Sequence, residues 1–560
     1  MKYTIQASVS PESLSIAALM HVEYHNGDSR ELSQIAFRLP SRDKAIVVPD
    51  SILYRGAPLR DSLIAVNENF MALTLPEPLR PDEVGPILMS FTTTLCPDKP
   101  RKKRGCNVVS ITDWMPLVCV FRTGHWFVEC FPGDCGEYAD FRVALEIDSA
   151  FTIAFPGELM NEREHFGFLP KRADDTILVN LTAEHSRDLT GQPYRPTFPN
   201  GRKMYYVKAD NITTFPFVIS RRFLIDRVYR RGLTIDVYYR ACNSAVWSGR
   251  VGRKAVKLIE QYEGWLGRLP YNHLTIVAGE ATDIGPAGPL IILPACVRDT
   301  NLLETILAVQ LARVWFPPVL PETHNTEQYI DDGMAYFAAI RTLHDRYGSD
   351  GYNMIREHRQ YLMRTYPHSD EYLALASTGL FQVPVQLNAL RCLVGDLLFL
   401  RSLQAYIDRF RKQYVTVDDV LTSLPRQALE QLGFAAGEIG VENVRLDLAV
   451  SEMVVIKQNN RYGLHYTVEN RGNLALPAEV AIVVNTGDTV YRTLALTDLP
   501  LPGAAQGYTD TVDRRPMAIA IDPRHRLPDS NRRNNYAFTP PRRFIYRLPR
   551  NMFPPYDFLN

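Results

Sequence analysis

Four side chains with metal-binding chemistry lie close together in the second half of the chain. They are His324, Glu327, Asp331 and Asp332. Imidazole nitrogens and carboxylate oxygens are common ligands of divalent metals, so this group could in principle hold such an ion. His324 lies in a loop flanked by prolines, where a polar surface role is the simpler interpretation. A metal-dependent peptidase or hydrolase with a rebuilt, non-standard site is therefore kept as the alternative hypothesis for function.

A second group of residues has the spacing of a metal-binding helix. The two segments are Val309-Gln310-Leu311-Ala312-Arg313-Val314-Trp315-Phe316 and Asp331-Asp332-Gly333-Met334-Ala335, with residues 314 to 331 between Arg313 and Asp332. They resemble the core of the M1 aminopeptidases, members of the gluzincin group. The pattern of that family is His-Glu-x-x-His-x-Trp-Phe, then eighteen residues, then Asn-Glu-Gly-Phe-Ala. The register agrees at two independent points, Trp315-Phe316 and Asp332.

Other segments strengthen this resemblance over residues 1 to about 435. Asp113-Trp114-Met115-Pro116 is similar to the Trp-x-Pro element of the family's N-terminal saddle domain. Ala139-Asp140-Phe141 and Thr214-Phe215-Pro216-Phe217-Val218 look like later strands of that domain. The fold class expected is multidomain α+β: an N-terminal antiparallel β saddle, a thermolysin-like α/β domain with a helical continuation, and a C-terminal β-sandwich.

The zinc chemistry of the family does not survive the alignment. In the family, two neutral imidazoles on one helix face bind zinc, and the glutamate between them is the general base. The resemblance puts Val309, Gln310 and Arg313 at these positions. Valine has no donor atom, an amide has no useful basicity, and a guanidinium stays protonated and repels a divalent cation. The third ligand position is Asp332, one methylene shorter than the family's glutamate.

Two further positions lack the side chains that the family uses. The Gly-x-Met-Glu-Asn strand, whose glutamate holds the substrate amino group, falls near residues 285–289, where Gly288 stands in a stretch without a carboxylate. The tyrosine that stabilises the tetrahedral intermediate falls at Asn388. Loss of a general base or of an oxyanion donor strongly reduces transition-state stabilisation. The resemblance therefore implies a pseudoenzyme without catalytic residues, metal or cofactor.

An ion pair is the hypothesis for what replaces the metal. Arg313 is expected to pair with Asp332, because a buried guanidinium is costly alone and a bidentate carboxylate offsets most of that cost. The alternative is that Arg313 reaches solvent or another carboxylate such as Asp331.

Two basic segments are candidates for binding a partner. One contains Lys99, Arg101, Lys102, Lys103 and Arg104; the other is a C-terminal arm in which Arg542 and Arg543 stand among prolines and aromatics. Simple exposure to solvent is the alternative for both. The function predicted is a binding or scaffold protein with a protein or peptide partner, and it could be a subunit of a larger complex.

Hydrophobic periodicity predicts four regions. Residues 1–235 read as short alternating strands, for example at 14–22 and 141–147. Residues 236–440 read as helices at 251–267, 302–316 and 331–347, strand-like runs at 274–277 and 290–293, and further helical pattern from about 386 to 433. The helix at 302–316 is apolar on nearly every side and is expected to be buried. Residues 441–541 return to strands with turn residues at sandwich spacing, and 542–560 form the arm. Within the sandwich, 468–473 and 521–535 resemble the CARDB-type modules that are often appended to bacterial enzymes.

Bulk composition limits the remaining choices. The chain has 560 residues, and its 62 basic and 62 acidic side chains cancel, so global charge gives no support for a nucleic-acid partner. No stretch reaches the length of a membrane-spanning helix, and the strand-like start lacks an apolar signal core, so a cytoplasmic location is expected. The eight cysteines are expected to be mostly reduced thiols, with a disulfide between Cys130 and Cys135 left open.

Overall fold

This computed structural model describes residues 1–539 except 43–44, 68, 97–107, 129–135, 171–172, 280–287, 321–329, 349–353, 356, 359, 363, 365–379, 427–428 and 430–444, and gives only the backbone at 380–382 and 458. The chain is multidomain, with mixed sheets and helices, and divides into two compact units. The first unit comprises Met1–Glu260, Arg268–Leu320 and Arg411–Tyr414; the second comprises Gln261–Gly267, Pro321–Phe410 and Val415–Asn560. The finer division at residues 235, 440 and 541 stays a prediction.

The first unit is built mainly from strands. Its strands are β1 (Lys2–Ser10), β2 (Ser15–His25), β3 (Leu32–Arg38), β4 (Ala45–Tyr54), β5 (Ala57–Pro58), β6 (Ile64–Val66), β7 (Phe70–Leu79), β8 (Val84–Leu95), β9 (Val108–Ile111), β10 (Leu117–Val118), β11 (Val120–Arg122), β12 (His125–Phe127), β13 (Ala139–Asp148), β14 (Thr152–Ala154), β15 (Glu158–Leu159), β16 (Ile177–Leu178), β17 (Arg202–Ile212), β18 (Phe217–Ser220), β19 (Phe223–Arg230), β20 (Leu233–Arg240), β21 (His273–Gly279) and β22 (Leu290–Pro294). The helices up to residue 320 are α1 (Glu162–Phe166), α2 (Ser244–Trp247), α3 (Val251–Leu266), whose last turns belong to the second unit, and α4 (Thr300–Arg313).

An eight-stranded sheet forms the largest layer of the first unit. Its strand order is β15-β17-β13-β1-β2-β8-β4-β5, and neighbouring strands run antiparallel except for β1 and β13. Buried and exposed side chains alternate along β1, as expected for a sheet with one face on the core. The strands predicted at 14–22 and 141–147 correspond to β2 and β13, so both predictions are confirmed.

The three N-terminal segments that carried the family resemblance meet in the core of this unit. The Trp114 indole is 1% exposed, and its Nε1 donates a hydrogen bond of 2.8 Å to the carbonyl oxygen of Phe215. The rings of Trp114 and Phe217 meet edge to face at 5.6 Å, and the Phe141 and Phe215 rings lie 6.1 Å apart. Asp113 forms a buried ion pair of 2.6 Å with Arg38. The aromatic side chains of these segments therefore have packing roles.

A five-stranded sheet, in the order β16-β19-β20-β21-β22, leads to the candidate site. Strands β20, β21 and β22 are parallel, and α3 connects β20 to β21. Strands β21 and β22 are buried almost continuously, which is typical of parallel strands covered on both faces. The helix predicted at 251–267 and the strands predicted at 274–277 and 290–293 are confirmed.

The second unit contains a helical part and a part with two β-sheets. Its helices are α5 (Ile330–Tyr347), α6 (Leu380–Val394), α7 (Asp396–Arg409) and α8 (Val417–Ser423). Its strands are β23 (Leu448–Gln458), β24 (Arg461–Asn470), β25 (Ala478–Val484), β26 (Thr489–Leu494), β27 (Ala505–Val512), β28 (Pro516–Ile521) and β29 (Tyr536–Phe538).

The helical part follows the helical pattern of the sequence. Helix α5 ends at Tyr347, and Gly348 follows with φ +60°, a conformation that favours glycine at a helix end. The helical pattern predicted from about 386 to 433 corresponds to three separate helices, α6, α7 and α8, and α6 ends before Gly395, where φ is +83°. A new helix, α8, begins after Thr416, whose hydroxyl and the Asp419 carboxylate form a capping box.

The predicted C-terminal strands are confirmed, and they form two sheets. The sheet orders are β23-β24-β27 and β26-β25-β28-β29, and β23 contacts β28 and β29 of the other sheet. The core-facing side chains of β25 and β28 are buried along nearly their whole length. Such burial is typical of two sheets that pack face to face. The β-sandwich and its likeness to CARDB-type modules stay predictions.

The cysteines that the structure describes carry free thiols. They are Cys96, Cys119, Cys242, Cys296 and Cys392, whereas Cys106, Cys130 and Cys135 lie outside the described residues.

Among the helices that the structure describes, none combines the length and the apolar character that crossing a bilayer requires.

Gly333 allows α5 and α6 to approach closely. A methyl group at this position would overlap the Cβ of Val383, which is fully buried and branched at that atom. We expect Gly333→Ala to lower the free energy of unfolding by about 1–3 kcal/mol through overpacking. Gly264→Ala is the matched control, because Gly264 is an exposed position of α3 with no atom near the added methyl. That control should stabilise the chain by up to about 1 kcal/mol. Urea unfolding measures both variants. Equal changes in the free energy of unfolding for Gly333→Ala and Gly264→Ala would contradict the close approach of α5 and α6 at Gly333.

Candidate functional site

Helix α4 carries the positions that the sequence resemblance assigns to the family's zinc helix. It starts after Asp299, whose Oδ1 accepts hydrogen bonds of 2.7 and 3.0 Å from the amides of Asn301 and Leu302. Most of its side chains are buried around the full circumference, as the sequence predicted for this segment. The helix ends at Arg313, three residues before the predicted end, and turns follow.

The three aligned positions on α4 have side chains of unlike chemistry. Val309 is 2% exposed, Gln310 is partly exposed, and Arg313 is 8% exposed. Nη1 of Arg313 donates to Oε1 of Gln310 at 3.3 Å, a long hydrogen bond. At neutral pH this arrangement offers an alkyl group, a neutral amide and a fixed positive charge. These three side chains lack the imidazole and thiolate donors of a zinc site, and the guanidinium repels a divalent cation.

The two aromatics that set the sequence register lie directly after α4. Trp315 is 3% exposed and Phe316 is 4% exposed. Burial of this extent removes most of two large rings from water and contributes several kcal/mol in favour of the folded chain. Their presence is therefore accounted for by packing.

The third aligned ligand position lies at the start of α5. Asp331 and Asp332 are in its first turn and are partly exposed, where carboxylates interact favourably with the helix dipole. Burial, followed by the negative charges of Asp331 and Asp419, raises the pKa of Tyr406 well above its ordinary value. Arg313 belongs to the first unit and Asp332 to the second, and the ion pair between them stays a prediction.

Asn388, which the sequence resemblance assigns to the position of the family's catalytic tyrosine, contacts a loop between β28 and β29. Its Nδ2 donates to the carbonyl oxygen of Arg526 at 3.0 Å, and its Oδ1 accepts from Nε of Arg391 at 2.9 Å. The same carbonyl accepts from Nη2 of Arg391 at 2.9 Å. Asp522 orders this loop, because its carboxylate accepts from the amides of Arg526 and Leu527. The amide of Asn388 thus holds α6 to the loop.

The other predicted positions give less information. Gly288 lies just before β22 and is partly exposed, and a methyl group added there would meet no atom within 4 Å. The remainder of the aligned stretch, residues 285–287, lies outside the described residues, as do His324 and Glu327. The basic residues Lys99, Arg101, Lys102, Lys103, Arg104, Arg542 and Arg543 also lie outside them. Within the described ranges, no three His, Cys, Asp or Glu side chains are placed to hold a metal ion.

Sequence reasoning did not single out Lys203, which the structure places in an apolar environment. Lys203 is 9% exposed on β17, and its Nζ lies 5.6 Å from the ring centroids of both Phe198 and Tyr205. The signal in the sequence is the alternation of β17, in which Tyr205 and Val207 share the buried register of Lys203.

Comparisons with known proteins identify the fold. No family model matches the chain, and no curated protein matches it. A variant of the M1 zinc metallopeptidase of Deinococcus radiodurans is 18% identical over 79% of this chain and 94% of that chain, with a TM-score of 0.51. A structure of the same variant with a bound Tyr-Ser-Ala substrate is 18% identical over 78% and 91%, with a TM-score of 0.50. Aminopeptidase A of Legionella pneumophila, in complex with aspartic acid, is 12% identical over 94% of this chain and 59% of that chain, with a TM-score of 0.57.

The match to the Legionella aminopeptidase includes the C-terminal sheets. It covers 94% of this chain, and strands β23 to β29 span residues 448–538, so most of these strands lie within the matched part. The likeness to the Legionella aminopeptidase therefore extends beyond the helical part. Identities below 20% establish shape alone. The fold of this chain resembles that of the M1 zinc aminopeptidases.

Proposed function

We propose that this chain is a catalytically inactive protein of the M1 aminopeptidase type, which binds a protein or peptide and serves as a scaffold or as a subunit of a larger assembly. One contrast carries the proposal. The buried scaffold aromatics Trp315 and Phe316 are kept directly after α4. On α4 itself, Val309 and Arg313 occupy the positions where the family resemblance requires two zinc-binding imidazoles.

The groups that peptide hydrolysis needs are missing from the aligned positions. Hydrolysis requires a general base and a donor to the developing oxyanion. Gln310 takes the position of the base, and an amide does not take up a proton at neutral pH. Asn388 takes the position of the oxyanion donor, and it is hydrogen-bonded to Arg526 and Arg391 in the packing of α6. We therefore assign no catalytic step to these residues.

The solved relatives indicate a class of ligand. One was crystallised with the substrate Tyr-Ser-Ala and another with aspartic acid. Recognition of a free amino terminus or of a short peptide does not itself require zinc chemistry. A peptide or a chain terminus is accordingly the ligand class that we propose for this chain.

The metal content of the purified full-length chain tests the proposal most directly. We expect no stoichiometric zinc by plasma mass spectrometry and no turnover of a panel of aminoacyl fluorogenic substrates, because the aligned side chains offer no imidazole and no base. Near-stoichiometric metal that is lost in Asp332→Ala or His324→Ala would contradict the proposal. That result would favour the hydrolase with a rebuilt site.

Binding is measured separately from turnover. Fluorescence anisotropy with a C-terminally labelled Tyr-Ser-Ala peptide should show saturable binding, and mass spectrometry should recover the peptide intact. An N-acetylated copy of the peptide is the control for recognition of the free amino group. Absence of binding to either peptide would leave the scaffold role without a peptide ligand and would direct the search to larger protein partners.

A further inference from the structure

One side of β23 has no partner strand along most of its length. β23 is the terminal strand of the sheet β23-β24-β27, so β24 pairs with only one of its two edges. Just before β23, the other edge is covered, because Leu446 forms a parallel bridge with Asp529. A bulge after Val450 interrupts the strand, and beyond it no described strand pairs with this side. Residues 452–458 on this side of β23 are called the open edge.

The open edge presents backbone polar groups and apolar side chains together. In an antiparallel pair, every second residue directs its N–H and C=O groups away from the partner strand, so these groups face away from β24. On one face of the sheet Val454 is 53% exposed and Ile456 is 43% exposed, and on the other face Met453 and Val455 are only partly buried. An exposed apolar edge of this kind is a template for pairing with a further strand.

The last described residues of the chain lie beside β23. Nδ2 of Asn534 donates to Oδ1 of Asp447, next to the start of β23, at 2.7 Å, and β29, which follows, contacts β23. The amide of Thr539 donates to the carbonyl oxygen of Met517 at 2.9 Å, so the chain is held in place up to this residue. Residues 540–560 lie outside the described residues, and their point of attachment is therefore close to the strand that carries the open edge.

The sequence after Thr539 contains a segment whose length and composition match the open edge. Residues 542–548 read Arg-Arg-Phe-Ile-Tyr-Arg-Leu and stand between Pro541 and Pro549. Proline cannot donate a hydrogen bond to a strand ladder, so these two residues limit a possible strand to the segment between them. Phenylalanine, isoleucine and tyrosine are favoured in strands. The segment and the open edge have the same number of residues.

From this juxtaposition we propose that residues 542–548 add to β23 as a further strand along the open edge. The N–H and C=O groups that face away from β24 then gain partners, and apolar side chains of the segment cover Val454 and Ile456. Because the segment is attached beside β23, its effective concentration at the open edge is high, which favours it over a strand from another molecule. The C-terminal arm thus closes an edge that would otherwise be available to other chains.

The test is amide hydrogen exchange of the full-length chain, measured by mass spectrometry on peptides that cover residues 452–458. Ile545→Pro and Tyr546→Pro each remove one backbone donor, and both are made because neighbouring N–H groups point to opposite edges of a strand. In at least one of them the amides of the open edge should exchange about tenfold faster, since they lose hydrogen bonds. Met552→Pro, beyond Pro549, is the matched control and should leave exchange unchanged.

Strand β24 is the internal control for the fold of the sheet. It is paired on both sides, by β23 and β27, so its exchange should stay the same in all three variants. Equal exchange at residues 452–458 in the natural chain and in both Ile545→Pro and Tyr546→Pro would overturn the proposal. Protection of the open edge that rises with protein concentration and persists in both variants would also overturn it, because the occupant would then be a second copy of the chain.

Discussion

A chain that combines Val309→His, Gln310→Glu, Arg313→His and Asp332→Glu is expected to bind a zinc ion at near-stoichiometric level, in contrast to the natural chain. Residues 309 and 313 both lie in α4 and are one turn apart, so two imidazoles there share a helix face. The family resemblance assigns the third ligand to position 332, and two imidazoles with a glutamate are the ligand set of a His₂Glu zinc site. Zinc sites in proteins reach apparent binding free energies of about 10 kcal/mol or more, so the change in metal content should be large.

The comparison needs a control for histidines placed at random on the helix. Gln310→His with Val314→His keeps the i, i+4 spacing but turns the pair by about 100° around the helix axis. Plasma mass spectrometry after dialysis and circular dichroism should show a folded control without stoichiometric zinc. Equal zinc in the control, or a folded quadruple variant without zinc, would show that the register at Val309, Arg313 and Asp332 is wrong.

The zinc-loaded variant should remain a poor aminopeptidase. Gly288 and Asn388 still stand where the resemblance expects the carboxylate that holds the amino group and the tyrosine that stabilises the oxyanion. Removal of one oxyanion donor alone costs about 10²–10³ in kcat in well-studied hydrolases. Metal binding without turnover would therefore show that the residues at positions 288 and 388 prevent catalysis even when the zinc ligands are restored.

Asp236→Ala is expected to lower the free energy of unfolding by about 3–5 kcal/mol, because it leaves Arg227 as a buried charge without its bidentate partner. Nε and Nη2 of Arg227 donate to the two carboxylate oxygens of Asp236 at 2.6 and 2.8 Å, and the two side chains are only 2% and 5% exposed. Arg227 also pairs with Glu162 and lies over the Phe166 ring. The network thus joins α1 to the hairpin of β19 and β20.

An exposed ion pair of similar length is the control for this prediction. Arg461 and Asp513 approach to 2.8 Å with side chains that are 60% and 80% exposed. Asp513→Ala should change the free energy of unfolding by less than about 1 kcal/mol. Urea unfolding followed by tryptophan fluorescence measures both variants. A loss in Asp236→Ala as small as that in Asp513→Ala would show that the buried pair does not stabilise the fold.

The pH dependence of this pair has a definite sign. Burial alone would raise the pKa of Asp236, but the charge and hydrogen bonds of Arg227 outweigh it, and the pKa lies well below the ordinary 3.8. A carboxyl whose folded pKa is lowered contributes stability that is complete above its unfolded pKa and lost as the pH falls through its folded pKa. The free energy of unfolding of the natural chain should therefore exceed that of Asp236→Asn by a constant amount from about pH 5 to 8. In stronger acid this difference in free energy should become smaller.

Local patterns in the sequence account for most of the elements near the candidate site. The apolar spacing at 251–267 and the mostly apolar run at 302–316 predict α3 and α4, because helical periodicity depends on residues three and four apart. The short runs at 274–277 and 290–293, rich in β-branched and other apolar residues, predict strands from local sequence in the same way. The substitutions at Val309, Gln310 and Arg313 are also visible without coordinates, since the chemistry of a side chain does not depend on the fold.

Contacts between distant residues could not be predicted in this way. The hydrogen bond from Trp114 to Phe215, that from Asn388 to Arg526, and the contact of Lys203 with the Phe198 ring each depend on how separate segments pack. The division of the helical pattern at Gly395 is of the same kind, because the apolar pattern continues through it while the backbone adopts φ +83°. Periodicity reports which face of an element is buried, but it does not specify which partner buries it. Tertiary packing supplies the partner, and with it the altered pKa of a buried group such as Lys203.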